Sequence, residues 1–404
     1  MRRRKFPRTL GNGDVPVIPL KNGIIKPNKG SEAMLNRLTG ILMNLIYILA
    51  FGYCGILVSI YEHIYDIPRG VSVIFSITGI ILVYAAMFLQ TIIHEAGHLV
   101  FGLLSGYKFS SFRILKYTFV KVNGKIKVKK YNIPGTLGQC LMEPPELKNG
   151  KIPVVLFNYG GVIFNFSASL LCYGIYYAIG YVSYSDMFLR IMIVVGLCLG
   201  LTNGIPMKNK LLSNDVYHIF SMLKNQNALL SMWTQLKINA MLTKGVRIKD
   251  MPDEWFYLPD DEAMQNNSEA VMGVFYCSRM VDEGRFLDAG ELIEHLLNIK
   301  SGITGLHRIQ LTLDYMFCEM MTESRKAVID KLCTKQIAKS MKAMSCFLST
   351  IRTEYAYALL VEKDMAKAEL VMKHFEKTAK SYPYPAEIAA EYEFIKLVNE
   401  KVKA

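Results

Sequence analysis

The segment Thr91-Ile-Ile-His94-Glu95-Ala-Gly-His98-Leu-Val100 sets two imidazoles and a carboxylate inside a long apolar run. On a helix, His94 and His98 stand one turn apart and project from the same face, so they can take two corners of a tetrahedral zinc. Glu95 then lies beside the metal. There a carboxylate can take a proton from an attacking water and pass it to a leaving amine, the general-base role in metal-assisted peptide hydrolysis. Ala96 and Gly97 keep the helix slim for a neighbour. Ionisable side chains within an apolar span are costly, which favours a functional reading of this cluster over an accidental one.

The elements that must hold this cluster are set by hydropathy. The chain has 404 residues, 51% of them hydrophobic, and a mean hydropathy of +0.22. That composition argues against intrinsic disorder and against an ordinary cytosolic enzyme. Four runs, about 38 to 60, 71 to 105, 153 to 181 and 187 to 206, have the roughly 20 residues needed to cross a hydrocarbon core. Residues 1 to 245 carry 26 basic and 9 acidic side chains, whereas 246 to 404 carry 21 and 25. The basic residues flank apolar segments, which suggests membrane contact and no nucleic acid. Arg2, Arg3, Arg4 and Lys5 precede the first run, and Lys125, Lys127, Lys129 and Lys130 lie between the second and third. Only Arg69 and Arg190 fall on the other side. By the positive-inside rule both termini are expected in the cytoplasm. Residues 1 to 34 lack an early apolar stretch, so no cleaved signal peptide is expected.

The His-Glu-x-x-His pattern within a transmembrane helix resembles the site-2 protease family of intramembrane zinc metalloproteases. Two further motifs of that family have counterparts in order: Gly161-Val-Ile-Phe-Asn165 in the third span, and Asn203-Gly-Ile-Pro206 at the end of the fourth, with Asp215 beyond it. The resemblance covers roughly residues 71 to 220. It implies a zinc site of His94, His98 and Asp215 with one position left for water, and Glu95 as base. It makes Gly161, Asn165 and Asn203 substrate-binding or oxyanion elements, Asn165 as a substrate-orienting amide and Asn203 as an anchor near the end of span four that Pro206 breaks. The sequence departs from the family at the third ligand, because Met207-Lys-Asn-Lys-Leu-Leu-Ser-Asn214 intervenes and Val216 stands in place of a Gly. Two other assignments stay open there. Ser213, Asn214 and Asp215 suit a helix start with Asp215 as cap or first-turn residue, and His218 could replace it as ligand.

Between spans two and three, Phe119-Val-Lys-Val122 and Lys125-Ile-Lys-Val128 alternate across Asn123-Gly124, a hairpin signal. Its exposed edge could hold an unwound substrate by main-chain pairing. Gly138 to Pro145 reads as a loop, with Cys140 an interface thiol, and the eight cysteines show no disulfide or zinc-ribbon spacing. An amphipathic helix over about 212 to 245 leads to a linker at 246–265 rich in Pro and Asp.

Residues 266–404 are expected to form a cytosolic helical domain. Glu283-Gly-Arg-Phe and Glu362-Lys-Asp-Met resemble tetratricopeptide turns, with Ala289 and Ala368 in the helices that follow. The division is a basic N-terminus (1–34), an extra span (35–65), a metalloprotease core (66–245), the linker and this tail. The expected fold is thus a polytopic α-helical membrane protein of about four spans, a site-2-protease-like core with a small β-hairpin, plus a tetratricopeptide-like tail. The expected cofactor is Zn2+. Expected partners are a membrane-embedded peptide or single-span protein, the lipid bilayer, and a cytosolic peptide or protein at the tail. Lysine- and isoleucine-rich composition leans toward a bacterial plasma membrane. A catalytically silent membrane scaffold and an ion pathway are the rival functions.

Overall fold

The computed structural model describes residues 29–122, 124–133, 136–179, 184–207 and 214–403. The basic cluster Arg2 to Lys5, the hairpin residue Asn123 and Ser213 lie outside these. Four helices are long and apolar enough to cross a membrane: α1 (Lys29–Ile64), α2 (Arg69–Leu104), α3 (Val154–Ile179) and α4 (Tyr184–Gly204). Their boundaries follow the hydropathy runs to within about four residues, except that α1 begins nine residues before its apolar run. Broad apolar faces of α1 to α3 stay uncovered by protein, with Ile48, Val73, Tyr84 and Leu170 all more than 60% exposed, the pattern of helices solvated by lipid. Helix α2 has 36 residues, about 54 Å at 1.5 Å per residue, so it outruns a hydrocarbon core of about 30 Å.

Helices α2, α3 and α4 pack side by side, and α1 adds to the outside of α4 and α2. The contact of α2 with α3 is made by glycine. A Cβ built on Gly160 would stand 2.7 Å from the Gly97 carbonyl carbon and 3.0 Å from the His98 nitrogen, so only glycine allows the two backbones to meet. Tyr61 of α1 donates to Asp186 of α4, and Arg190 reaches the same carboxylate at 3.1 Å and the Tyr176 hydroxyl at 2.6 Å. These polar contacts fasten α1 to α4 and α4 to α3.

The segment between α2 and α3 folds as a four-stranded antiparallel sheet in the order β3-β2-β1-β4, made of β1 (Lys108–Ile114), β2 (Tyr117–Val122), β3 (Lys125–Lys130) and β4 (Gly138–Glu143). The predicted hairpin is β2 with β3, joined in the register Val122 to Lys125. The loop expected at Gly138 to Pro145 is corrected: residues 138 to 143 are a strand, because they find β1 as a partner that no local signal reveals. Cys140 is buried within that strand.

The predicted amphipathic stretch is two helices, α5 (Asp215–Lys224) and α6 (Gln226–Thr243), divided at Asn225, whose side chain caps α6. The expected linker is packed rather than free, with Met251, Phe256 and Met264 all at most 5% exposed. Eight helices follow: α7 (Asn267–Asp282), α8 (Phe286–Asn298), α9 (Gly305–Met321), α10 (Lys326–Leu332), α11 (Lys335–Ala343), α12 (Leu348–Tyr357), α13 (Met365–Ser381) and α14 (Pro385–Lys403). Both anticipated turns stand between helices, and Ala289 and Ala368 are buried just after them. The tail closes onto the sheet: Tyr131, just past β3, meets the rings of Tyr382 at 5.2 Å and of Phe347 and Tyr384 at 5.5 Å.

Candidate metal centre

Three separate stretches of chain supply the centre. Helical spacing puts His94 and His98 on the buried face of α2, at 8% and 7% exposure. Gly161 of α3 faces His94, and a Cβ there would overlap the imidazole at 2.5 Å from Nδ1. Gly161 thus leaves room for the His94 ring.

Asp215 arrives from the start of α5. Asp215 takes the first-turn position that the sequence offered it. Asn214 is the N-cap, accepting from the Tyr217 amide at 3.1 Å, and this leaves the Asp215 carboxylate free to face the histidines. Its Oδ2 lies 3.1 Å from His94 Nε2 and 3.3 Å from His98 Nε2, and the two Nε2 atoms are 3.1 Å apart. Four ligands at zinc distances of about 2.0–2.1 Å span a tetrahedron with edges of about 3.3–3.4 Å. The three atoms thus fit one face of such a tetrahedron, with its fourth corner left over. Burial works against the Asp215 carboxylate, but the His98 and His94 rings outweigh it and hold the carboxyl well below the usual range. Among the described residues, His94, His98 and Asp215 form the group able to hold a metal, and His218 is not part of it.

The ring nitrogens turned away from this triangle are fixed as well. His98 Nδ1 lies 2.8 Å from the Phe157 carbonyl, an acceptor only, so it carries a hydrogen and leaves Nε2 with its lone pair. His94 Nδ1 lies 2.7 Å from Asn165 Oδ1. The amide orientation follows from its other end, where Nδ2 donates to the Gln90 carbonyl at 2.9 Å and to Gln90 Oε1 at 2.8 Å. Both Nδ2 hydrogens are committed and Asn165 is 0% exposed. In this structure Asn165 orients His94, the work of an outer-shell partner where such a histidine holds a metal.

Asn203 donates to the Leu199 carbonyl one turn back in its own helix. The broken end of α4 is instead held by Asn214, whose Nδ2 donates to Thr202 at 2.8 Å and to Ile205, and whose Oδ1 accepts from Met207. Asn214 and Gln90 are therefore the two supporting residues that sequence reasoning missed. Gln90 had a legible signal, a polar amide one turn before His94 in an apolar span. Asn214 had none beyond its place at a helix start.

Glu95 leaves α2 toward the sheet. A Cβ on Gly138 would stand 2.7 Å from Glu95 Oε1, so the first residue of β4 is kept bare beside the carboxylate. Strand β4 pairs with β1 alone and is an edge of the sheet. The hairpin edge expected to serve the site, β3, is the opposite edge. No protein-family model, curated protein or solved structure matches the chain.

Proposed function

We propose that the chain is an intramembrane zinc metalloendopeptidase of the site-2 protease type, cleaving a peptide bond within or near a transmembrane or signal-peptide-like segment. The observation that carries this reading is the triangle of His94 Nε2, His98 Nε2 and Asp215 Oδ2 inside an apolar helix bundle, with Glu95 on the adjoining face of α2. His94, His98 and Asp215 would hold the zinc, which when bound would supply Lewis acidity and a water nucleophilic near neutral pH. Glu95 takes the proton of the attacking water and delivers it to the leaving amine. A helical substrate hides its peptide bonds in its own hydrogen bonds, so it must unwind before attack. The free edge of β4, with bare Gly138 beside Glu95, offers main-chain pairing to the unwound strand.

Under this reading α1 to α4 span the bilayer, with both termini, the sheet and the tetratricopeptide-like tail on the cytoplasmic side. The Lys-rich β3 supports that orientation. Zinc content of the detergent-solubilised protein tests the proposal. About one zinc per chain, lost in Asp215→Ala, is expected. An empty wild type after zinc supplementation overturns it and favours the scaffold, for which Glu95→Gln should also be without consequence.

A further inference from the structure

Helices α7, α9, α12 and α14 of the tail form the far wall of a cavity of about 540 Å³, whose near wall is the sheet with α5 and α6. This volume is within the range of ligand sites, about 300–1,000 Å³. None of His94, Glu95, His98 and Asp215 lines the cavity, but its near wall shares β4 and α5 with the metal centre. Gln139, which lines it, follows the Gly138 that abuts Glu95, and His218, also on the lining, stands one turn along α5 from Asp215.

The far wall carries Asp314, Glu387 and Glu391, with Arg352 as the cation among them. Arg352 Nη2 donates to Asp314 at 2.6 Å, and its Nε stands 3.5 Å from Glu391 Oε2, with neither of these last two atoms completing a hydrogen bond. Glu387 accepts from the Tyr382 hydroxyl at 2.7 Å. Elsewhere on the lining Asp282 is matched by Arg247 at 2.6 Å, so the excess acid sits at Glu387 and Glu391. Burial pushes both carboxyls up to about 7. Carboxylates kept in such a place lower stability unless something cationic completes them. The Tyr384 ring beside them offers a face to an alkyl stem or a guanidinium.

We propose that this cavity binds an extended segment of the substrate's cytosolic flank, pairing its Lys or Arg side chains with Glu387 and Glu391 while the adjoining chain runs toward β4 and Glu95. The charge sign fits the occupant, because the cytosolic flanks of membrane spans are enriched in Lys and Arg. This inference rests on the protease reading and specifies its substrate class: proteins with a basic cytosolic juxtamembrane stretch.

Fluorescence anisotropy on the full-length Glu95→Gln protein in detergent, with a fluorescein-labelled Arg/Ala heptapeptide as probe, tests it without requiring cleavage. The Arg peptide should bind at least about tenfold more tightly than its counterpart with Glu at the Arg positions, a difference of about 1.4 kcal/mol. Glu387→Gln combined with Glu391→Gln should remove a similar factor. Ser278→Trp fills the cavity from α7 with both carboxylates in place and should block binding too, which keeps the test sound where the double variant misfolds. A photo-crosslinker on the peptide should label Gln139 to Leu141. Equal binding of the two peptides, or undiminished binding in either variant, overturns the proposal. Zinc content of the same preparations is a separate readout, so a failed protease reading is distinguishable from a failed cavity.

Discussion

Asn165 Oδ1 lies 2.7 Å from His94 Nδ1, and the same amide is pinned by two bonds to Gln90. A relay of two buried amides therefore decides which nitrogen of His94 faces Asp215. Replacement by Leu removes the acceptor at similar volume and frees the ring to turn. Asn165→Leu should lower zinc affinity by about 10–100-fold, read by competition with a chromogenic chelator. Affinity equal to wild type would show that His94 is oriented by the metal alone.

Gly160 and Gly97 make a backbone contact that tolerates no methyl group, because the obstructing atoms are themselves backbone. Gly160→Ala should cost about 1–3 kcal/mol through forced helix separation and should weaken zinc binding, since His98 is adjacent. Gly174→Ala lies on the same helix with nothing within 4 Å of its Cβ and serves as the control. Thermal unfolding in detergent should lower the first variant alone.

Asn214 joins two tasks, capping α5 and holding Thr202, Ile205 and Met207. Loss of the cap costs about 1 kcal/mol, and Asp215 is the next residue. Asn214→Ala should thus lower stability and weaken zinc binding only in part, whereas Asp215→Asn should abolish zinc binding while leaving the α5 cap in place. Paired unfolding and zinc titrations separate the two patterns, and similar effects of both would refute the division of roles.

Glu387 predicts a pH effect. Burial raises its carboxyl from the ordinary 4.5 to about 7, against the opposing hydrogen bond from Tyr382. A folded pKa above the unfolded one means that the native state binds the proton more tightly. Its contribution is therefore complete below the unfolded value and is lost as pH rises through the folded value. Glu387→Gln, neutral at every pH, should gain stability over wild type between about pH 5 and pH 8, on the order of 1–3 kcal/mol. Chemical unfolding of the two proteins across that range checks it, and a difference independent of pH would contradict it.

Periodicity and local chemistry settled much of this in advance. The four apolar runs, the β2–β3 hairpin and the turn at Gly284 depend on neighbours in sequence, so hydropathy and turn preferences report them directly. The pairing of His94 with His98 is likewise a consequence of 3.6 residues per turn. The strand at Gly138 to Glu143 was not legible, because its partner is β1 and its pairing is non-local. The place of Asp215 depended on how Asn214 ties the end of α4 to the start of α5, and the work of Asn165 on the approach of α3 to α2 through Gly97 and Gly160. The cavity between the sheet and the tail likewise exists only because the tail folds back on Tyr131. Each of these is decided by close packing between segments far apart in sequence, which no single stretch of residues encodes.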